Sequence, residues 1–309
     1  MNSVKPNKQL TARRIILTSF IVDFSDVILN LAVALMTGSM IMISELLEGV
    51  ADLVASGLLL VGINKSRQKE DKSHPFGYGR ELYFWTLMSA LIMMGITSTF
   101  SIYFGVQRYL KPEPITHIWL AYTVLTISVV TNAFAFTLSL KRLLQSHHLA
   151  QILNIFIRSS LVETKTTLIL DLMGTLAALL GFISLVIYQL TGDLRMDGVG
   201  AILIGLMLAV FAYLILIGAK DLLVGQTASI ETEETIRKSA LRIKEVKDVI
   251  NLKTMHLGPE RLLVNLEVNL DNELTTNQIE GLIHSIKEEI RKDVPVAKNI
   301  QVELETQGP

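Results

Sequence analysis

Long apolar runs separated by short polar connectors fill residues 1–225. A helix needs about 20 apolar residues to cross the hydrocarbon core of a bilayer, and each run reaches that length. The first run follows a short basic segment and has no small-residue cleavage pattern, so it is interpreted as a span and not as a removed signal peptide. The pattern predicts six transmembrane helices, at 13–36, 41–64, 82–109, 118–140, 161–190 and 198–222.

After Gly225 the chain changes to amphipathic and alternating patterns. Residues 261–270 alternate apolar and polar side chains, which is the period of a half-buried strand. The order helix, strand, strand, helix, strand favours helices packed on one face of a small sheet. The predicted elements are a helix at 231–246, strands at 249–256 and 261–270 around a turn at 258–260, a helix at 275–292 and a strand at 299–305.

The predicted fold class is therefore a multi-span α-helical membrane protein with a C-terminal α+β (αββαβ, ferredoxin-like) domain. The predicted domains are a six-helix transport domain at 1–225 and a dimerisation or regulatory domain at 226–309. Composition agrees, because half of the residues are hydrophobic and only 18% are charged, against about 25% charged in soluble domains. No cysteine is present, so disulfides and thiolate metal sites are excluded.

Basic residues mark the cytoplasmic connectors of a membrane protein. The connector at 64–80 holds five Lys and Arg residues, and 141–160 holds three, whereas the connectors at 36–39, 111–117 and 191–197 are poor in bases. Both termini are therefore predicted to be cytoplasmic, in a multi-pass protein of a plasma or bacterial inner membrane. Nothing in this pattern indicates nucleic-acid binding.

Three carboxylates share one face of the second predicted helix. Glu45, Glu48 and Asp52 are spaced i, i+3 and i+7. Thr167 and Asp171 are spaced i and i+4 on the fifth helix. Carboxylates at membrane depth are functional candidates, although intramembrane acids can also be structural ion pairs. If the two helices face each other, their oxygens would favour harder divalent cations, and metal binding would release protons.

Further ionisable residues are weaker candidates. Asp23, Asp26 and Asn30 share a face of the first helix, where they could line a cation path or form interhelical hydrogen bonds. The six histidines all lie outside the middle of the predicted spans. Lone His256, in the C-terminal region, is more typical of a structural residue than of a ligand.

The residues at 38–86 resemble the cation diffusion facilitators, also called cation efflux or zinc-transporter-like proteins. The resemblance rests on Ser44-Glu-Leu-Leu-Glu-Gly-Val-Ala-Asp52 followed by His74-Pro-Phe-Gly-Tyr-Gly-Arg-Glu81, and weaker agreement covers the rest of the chain. The wording of these motifs is closest to a branch with relatives in organelles and bacteria. The resemblance implies a transport site made of Glu48, Asp52, Thr167 and Asp171. Glu48 and Thr167 stand where the family usually has His or Asp, which favours Mn²⁺ or Fe²⁺ while leaving Zn²⁺ open.

The same resemblance implies two accessory metal sites and an assembly. In the loop, Asp71 and His74 match a family site, but Tyr78 replaces its second histidine, so a stable loop metal is not expected. In the tail only His256 matches. The accessory metal-site candidates are thus Glu45, Asp23, Asp26, Asp71, His74 and His256. The family forms homodimers through the tail, so a homodimer is expected.

The leading hypothesis is a secondary transporter that exports divalent metal cations in exchange for protons, with no tightly bound cofactor. The alternative is a non-transporting paralogue that acts as a heterodimer partner or scaffold, because two of four site positions depart from the family pattern. An enzyme is disfavoured, since the HExxH, GxSxG and P-loop patterns do not occur.

Overall fold

The computed structural model describes residues 12–144, 162–271 and 274–305, with side chains described for 24–141, 166–271 and 274–305. The chain divides into two compact units. The first contains most of the apolar helices. The second contains the C-terminal region from Ala219 onward together with Ile63–Phe84, the segment that joins the second and third helices.

Six apolar helices confirm the predicted membrane architecture. Each begins and ends within a few residues of the predicted span, because apolar stretches of this length leave helix as the only open-chain structure that pairs all its backbone groups in lipid. Five are long and apolar enough to span a membrane, and the described part of the first, Phe24–Thr37, is a shorter apolar helix. The helices are α1 Ala12–Thr37, α2 Met40–Ser66, α3 Glu81–Leu110, α4 Ile118–Leu144, α5 Val162–Thr191 and α6 Arg195–Val224.

Close packing in the helical unit depends on small residues. A Cβ atom added to Gly181 of α5 or Gly200 of α6 would lie within 2.8 Å of Ile41, which is fully buried. Gly105 of α3 approaches Ile202 of α6 in the same way. Small residues let membrane helices approach closely, and van der Waals contact then replaces the hydrophobic effect as the source of stability. Large apolar side chains such as Leu35 and Phe134 point outward, as lipid-facing residues do.

A buried ion pair holds the beginning of α2. Asp197, at the start of α6, is fully buried and accepts hydrogen bonds from Ser39 Oγ (2.6 Å) and from the backbone N–H groups of Met40 (2.9 Å) and Ile41 (3.2 Å). Arg108 Nε lies 3.2 Å from Asp197 Oδ2, and another nitrogen of the guanidinium donates to the carbonyl of Gly38. Asp197 thus caps the free N–H groups of another helix.

The C-terminal region forms the predicted α+β fold around a mixed three-stranded sheet. Strand order is β1-β2-β3, with β1 and β2 antiparallel and β2 and β3 parallel. Every second residue of β2 is buried, so one face of the sheet supplies a core shared with both helices. The elements are α7 Ile230–Leu241, β1 Val246–Gly258, β2 Arg261–Leu270, α8 Thr276–Asp293 and β3 Asn299–Leu304.

One predicted boundary in this region is wrong. The predicted helix at 231–246 ends at Leu241, and β1 begins at Val246, three residues before the predicted strand. Ile243 and Val246 continue the apolar period, but Val246 is buried as a strand residue paired with Leu270. Tertiary pairing therefore overrides a local pattern that suits either structure.

The second unit also contains the connector between α2 and α3. A Cβ atom on Gly79 of this connector would lie 2.4 Å from the Leu257 carbonyl oxygen and 2.8 Å from Gly258 Cα, at the end of β1. Arg80 Nη2 donates to Met255 Sδ (2.9 Å), and Arg261 Nη1 donates to Glu70 Oε1 (3.3 Å). The backbone contact requires glycine, and the two arginines flank it.

Candidate metal site

Helices α2 and α5 meet at Glu48. Glu48 is 4% exposed, and its Oε1 lies 2.9 Å from the position that a Cβ atom on Gly174 would occupy. Any side chain at position 174 would therefore displace the carboxylate. Glycine at this position leaves room for an acidic group between two apolar helices.

Asp171 precedes Gly174 by about one helical turn and is half-buried. Ser139 of α4, itself buried, donates a short hydrogen bond from Oγ to Asp171 Oδ2. Thr167 lies one further turn along α5, and Asp52 lies one turn after Glu48 on α2; both are half-buried. The four residues that the family resemblance selects thus lie on α2 and α5, which are in contact at Glu48.

The described side chains do not include a preformed metal cluster. Among them, no three His, Cys, Asp or Glu residues are grouped closely enough to hold a metal ion. The assignment of Glu48, Asp52, Thr167 and Asp171 as one ligand set therefore stays a prediction. Their positions place carboxylates on two adjoining helices, with room for polar groups from a third.

That third helix is α4, which sequence reasoning missed. The Cγ and Nδ2 atoms of Asn132 lie 2.9 Å from the same Gly174 Cβ position that Glu48 Oε1 approaches. Asn132 and Ser139 are spaced i and i+7, so they share one face of α4. The available signal was Asn132 itself, the single side-chain amide in the predicted span 118–140. It was passed over because α4 carries no carboxylate within that span.

The accessory acids on α1 and α2 are only partly described. Glu45 is 2% exposed, and Asn30 is fully buried. Asn30 Nδ2 donates to Asp26 Oδ2 at 2.8 Å, which is a bond within α1 and not the interhelical bond that was one of the two expectations. Asp23 belongs to α1, but its side chain lies outside the described residues.

The loop candidates form a hydrogen-bonded turn. Asp71 Oδ2 accepts from Tyr78 Oη (2.8 Å), and Asp71 Oδ1 accepts from the backbone N–H groups of Ser73 (2.8 Å) and His74 (2.7 Å). The Tyr78 hydrogen bond, followed by the His74 backbone bond, lowers the pKa of the Asp71 carboxyl. The His74 and Tyr78 rings lie 4.0 Å apart between centroids. Tyr78 thus occupies the carboxylate that a third metal ligand would otherwise share.

His256 lies in β1 of the C-terminal sheet. It pairs with Leu262 across the turn, and its backbone N–H donates to the Gln226 carbonyl at 3.1 Å. The backbone at His256 is therefore part of the sheet that supports the domain. Its assignment as a metal ligand stays a prediction.

Two family models match consecutive parts of the chain. The cation efflux transmembrane domain matches residues 16–224, and the cation efflux protein cytoplasmic domain matches residues 228–307. Together they cover both the helical bundle and the C-terminal α+β region.

Relatives with transporter names match over most of the chain. The mitochondrial proton-coupled zinc antiporter SLC30A9 of Mus musculus is 26% identical over 78% of this chain and 43% of its own length. An uncharacterized transporter of Methanocaldococcus jannaschii is 24% identical over 89% of this chain and 90% of its own. The magnetosome protein MamB of Paramagnetospirillum magneticum is 20% identical over 92% and 90%. The chain thus spans less than half of the length of SLC30A9.

Solved MamM-CTD structures match the C-terminal region. One is 18% identical, covers 26% of this chain and 94% of its own, and has a TM-score of 0.24. At this level of similarity the match carries no argument about the site.

Proposed function

Because the chain belongs to the cation diffusion facilitator (cation efflux) family, we propose that it is a secondary transporter of divalent transition-metal cations. It exports the cation from the cytoplasm in exchange for protons. Glu48, Asp52 and Asp171 supply charged oxygens, and Thr167 or water completes the shell around the substrate cation.

The observation that carries the proposal is the meeting of α2 and α5 at Glu48 and Gly174. An ionised carboxylate at membrane depth costs about 2.5–3.5 kcal/mol on insertion scales, and more by other measures. A divalent cation between Glu48 and Asp171 would offset that cost. Because carboxylates must lose protons before they bind metal, each cation bound would release protons. Exchange of metal for protons follows from the same groups.

The ligand chemistry bears on which cation is carried. The proposed ligands are oxygens from carboxylates and a threonine, with the Asn132 amide close by. Such sites suit Mn²⁺ and accept Fe²⁺, whereas Zn²⁺ and Cu⁺ prefer nitrogen or sulfur ligands. SLC30A9 is named a zinc antiporter, so Zn²⁺, Mn²⁺ and Fe²⁺ are all candidate substrates.

The proposal extends to assembly and orientation. The C-terminal region matches the family's cytoplasmic domain, and the connector at 64–80 is rich in Lys and Arg. Both features support cytoplasmic termini in a plasma or inner membrane. A homodimer through the C-terminal domain is the proposed assembly, since a domain of about 80 residues has a modest core of its own.

A flux assay in proteoliposomes tests this function. Vesicles with an imposed pH gradient would receive Mn²⁺, Zn²⁺ or Fe²⁺, and uptake would be followed with a trapped metal-sensitive dye. The parent protein should move at least one of these cations, in the direction set by the pH gradient. The double variant Asp52→Ala/Asp171→Ala should lose at least tenfold in initial rate, because only one carboxylate of the site remains.

The matched control is Asp271→Ala, which removes an exposed carboxylate from the C-terminal domain and should leave the rate unchanged. A double variant as fast as the parent would refute the site. A parent that moves none of the cations, yet associates stably with a second family member, would favour the non-transporting alternative.

A further inference from the structure

The first two helices carry a second group of buried oxygens beyond Glu48. Helices α1 and α2 are antiparallel neighbours joined by a tight turn at Gly38, which has a positive φ of 66°. A Cβ atom on Gly49 would lie 3.2 Å from Val27 Cγ2 and 3.5 Å from Asp26 Oδ2. Asp26 is therefore level with Gly49 along the helix pair.

This register fixes which residues lie opposite each other nearer the turn. Four residues after Asp26 is Asn30, and four residues before Gly49 is Glu45. Both steps advance about 6 Å toward the α1–α2 turn, because an α-helix rises 1.5 Å per residue. Asn30 of α1 is therefore level with Glu45 of α2. Both are at least nine-tenths buried, at 0% and 2% exposure.

Each of these two side chains has a buried oxygen atom with no hydrogen-bond partner: Oδ1 of Asn30 and Oε1 of Glu45. The amide nitrogen of Asn30 donates to Asp26 at 2.8 Å, which leaves the amide oxygen to accept. A buried acceptor without a partner costs about 1–3 kcal/mol. Two acceptors cannot satisfy each other, so this level of the helix pair requires a donor or a cation.

We propose that Asp26, Asn30 and Glu45 form a second divalent-cation site, about one helical turn from Glu48 toward the α1–α2 turn. Two carboxylates balance the charge of a divalent cation, and the Asn30 carbonyl adds a third oxygen ligand. Such a ligand set favours hard cations, of which Mn²⁺ is the transition-metal member. The site rests on the proposed function, because a cation reaches it by way of the transport site.

The position of Glu45 explains how the two sites would communicate. Glu45 precedes Glu48 by three residues, so both carboxylates lie on one face of α2. Glu45 lies within electrostatic range of both Glu48 and Asp26. A cation that leaves Glu48 would therefore meet another negative charge one turn further along. The second site serves as a station on the cation path, separate from the ligands on α5.

Counting bound metal tests this proposal independently of transport. Purified full-length protein in detergent would be dialysed against Mn²⁺, and free Mn²⁺ would be measured by its electron paramagnetic resonance signal. The parent should bind two Mn²⁺ per protomer. Asn30→Ala and Glu45→Gln should each bind one, a twofold reduction. Asp52→Asn/Asp171→Asn should also bind one, because it removes the other site.

Two features of the design protect the interpretation. Glu45→Gln keeps the size and hydrogen-bonding capacity of the side chain, so it preserves packing even if Asn30→Ala does not fold. Glu81→Gln makes the same change in the first turn of α3 and should retain two Mn²⁺. Thermal unfolding of each variant would verify that it is folded.

The outcomes separate the second site from the transport site. Binding of two ions by Glu45→Gln would overturn the second site, as would a parent that binds one ion that is lost in Asp52→Asn/Asp171→Asn. Loss of both ions in Glu45→Gln would show a single merged site and would overturn the separation. If Asp52→Asn/Asp171→Asn keeps parental binding and flux, the proposed transport site itself fails.

Discussion

At the scale of single residues, Gly174 decides what can occupy the space between α2, α4 and α5. Its missing side chain leaves room for the Glu48 carboxylate and the Asn132 amide, whose atoms both lie 2.9 Å from the same point. A neutral amide there can ligate through its oxygen or orient a carboxylate through its nitrogen. Either role gives Asn132 an influence on metal affinity.

Replacing Asn132 with alanine should weaken Mn²⁺ binding at the transport site by about tenfold, because loss of a group that orients or supplements metal ligands typically costs 10–100-fold. Isothermal titration calorimetry on the purified protein would measure the change. The neighbouring Thr131→Ala is a matched control, since Thr131 is exposed and its hydroxyl donates to the Ile127 carbonyl of its own helix. Equal affinities for Asn132→Ala and Thr131→Ala would contradict a role for the amide.

Tyr78 is the residue that separates the Asp71 loop from a metal site. Its hydroxyl donates to Asp71 Oδ2, and its ring lies 4.0 Å from that of His74. The variant Tyr78→His should therefore gain one Zn²⁺ per protomer, because it would place an imidazole beside Asp71 and His74. Equilibrium dialysis with Zn²⁺ would count the added ion.

Tyr78→Phe is the control for this gain. It removes the hydrogen bond to Asp71 without adding a ligand, so the pKa of Asp71 should rise toward its ordinary value while Zn²⁺ binding stays at the parental level. The expectation for the loop is refuted if Tyr78→His binds no more Zn²⁺ than Tyr78→Phe.

At the scale of elements, the sequence predicted what depends on local pattern. The six apolar helices and the strand at 261–270 could be located because their periodicity is set within each segment. The boundary of α7 could not, since Ile243 and Val246 fit a helix or a strand until Val246 pairs with Leu270. Elements are thus predictable where one period dominates, and ambiguous where a partner decides.

Contacts between distant elements were beyond the sequence pattern. The cap of α2 comes from Asp197, which is 158 positions from Ser39. Likewise, Asn132 becomes visible as a site residue only when α4 is placed against Gly174. The carboxylates on α2 and α5 could be selected in advance because charge is conspicuous in an apolar span. Neutral polar partners are not, since they also occur as ordinary helix residues.

At the scale of the whole molecule, the connector between α2 and α3 forms one compact unit with the C-terminal domain. The connector follows the helix that carries Glu48 and Asp52, so its position bears on the transport helices. Its attachment is a backbone contact between Gly79 and the end of β1, which leaves no space for a side chain. This attachment gives the C-terminal domain a physical route to the membrane helices.

Gly79→Ala should therefore detach the connector or strain it. A Cβ atom at position 79 would lie 2.4 Å from the Leu257 carbonyl oxygen, so backbone must move, and overpacking of this kind typically costs about 1–3 kcal/mol. We expect a lower thermal unfolding temperature and faster amide hydrogen exchange at 66–80 and 255–261. Both would be measured on the full-length protein in detergent.

Gly281→Ala supplies the matched control within the same unit. Gly281 lies in α8, and a Cβ atom there would meet nothing within 4 Å, so alanine should stabilise the helix by up to about 1 kcal/mol through helix propensity. If Gly79→Ala matches Gly281→Ala in both measurements, the connector is not held by this contact. If only Gly79→Ala also slows metal flux, the contact transmits changes in the C-terminal domain to α2. The carboxylates on that helix would then respond to events outside the membrane.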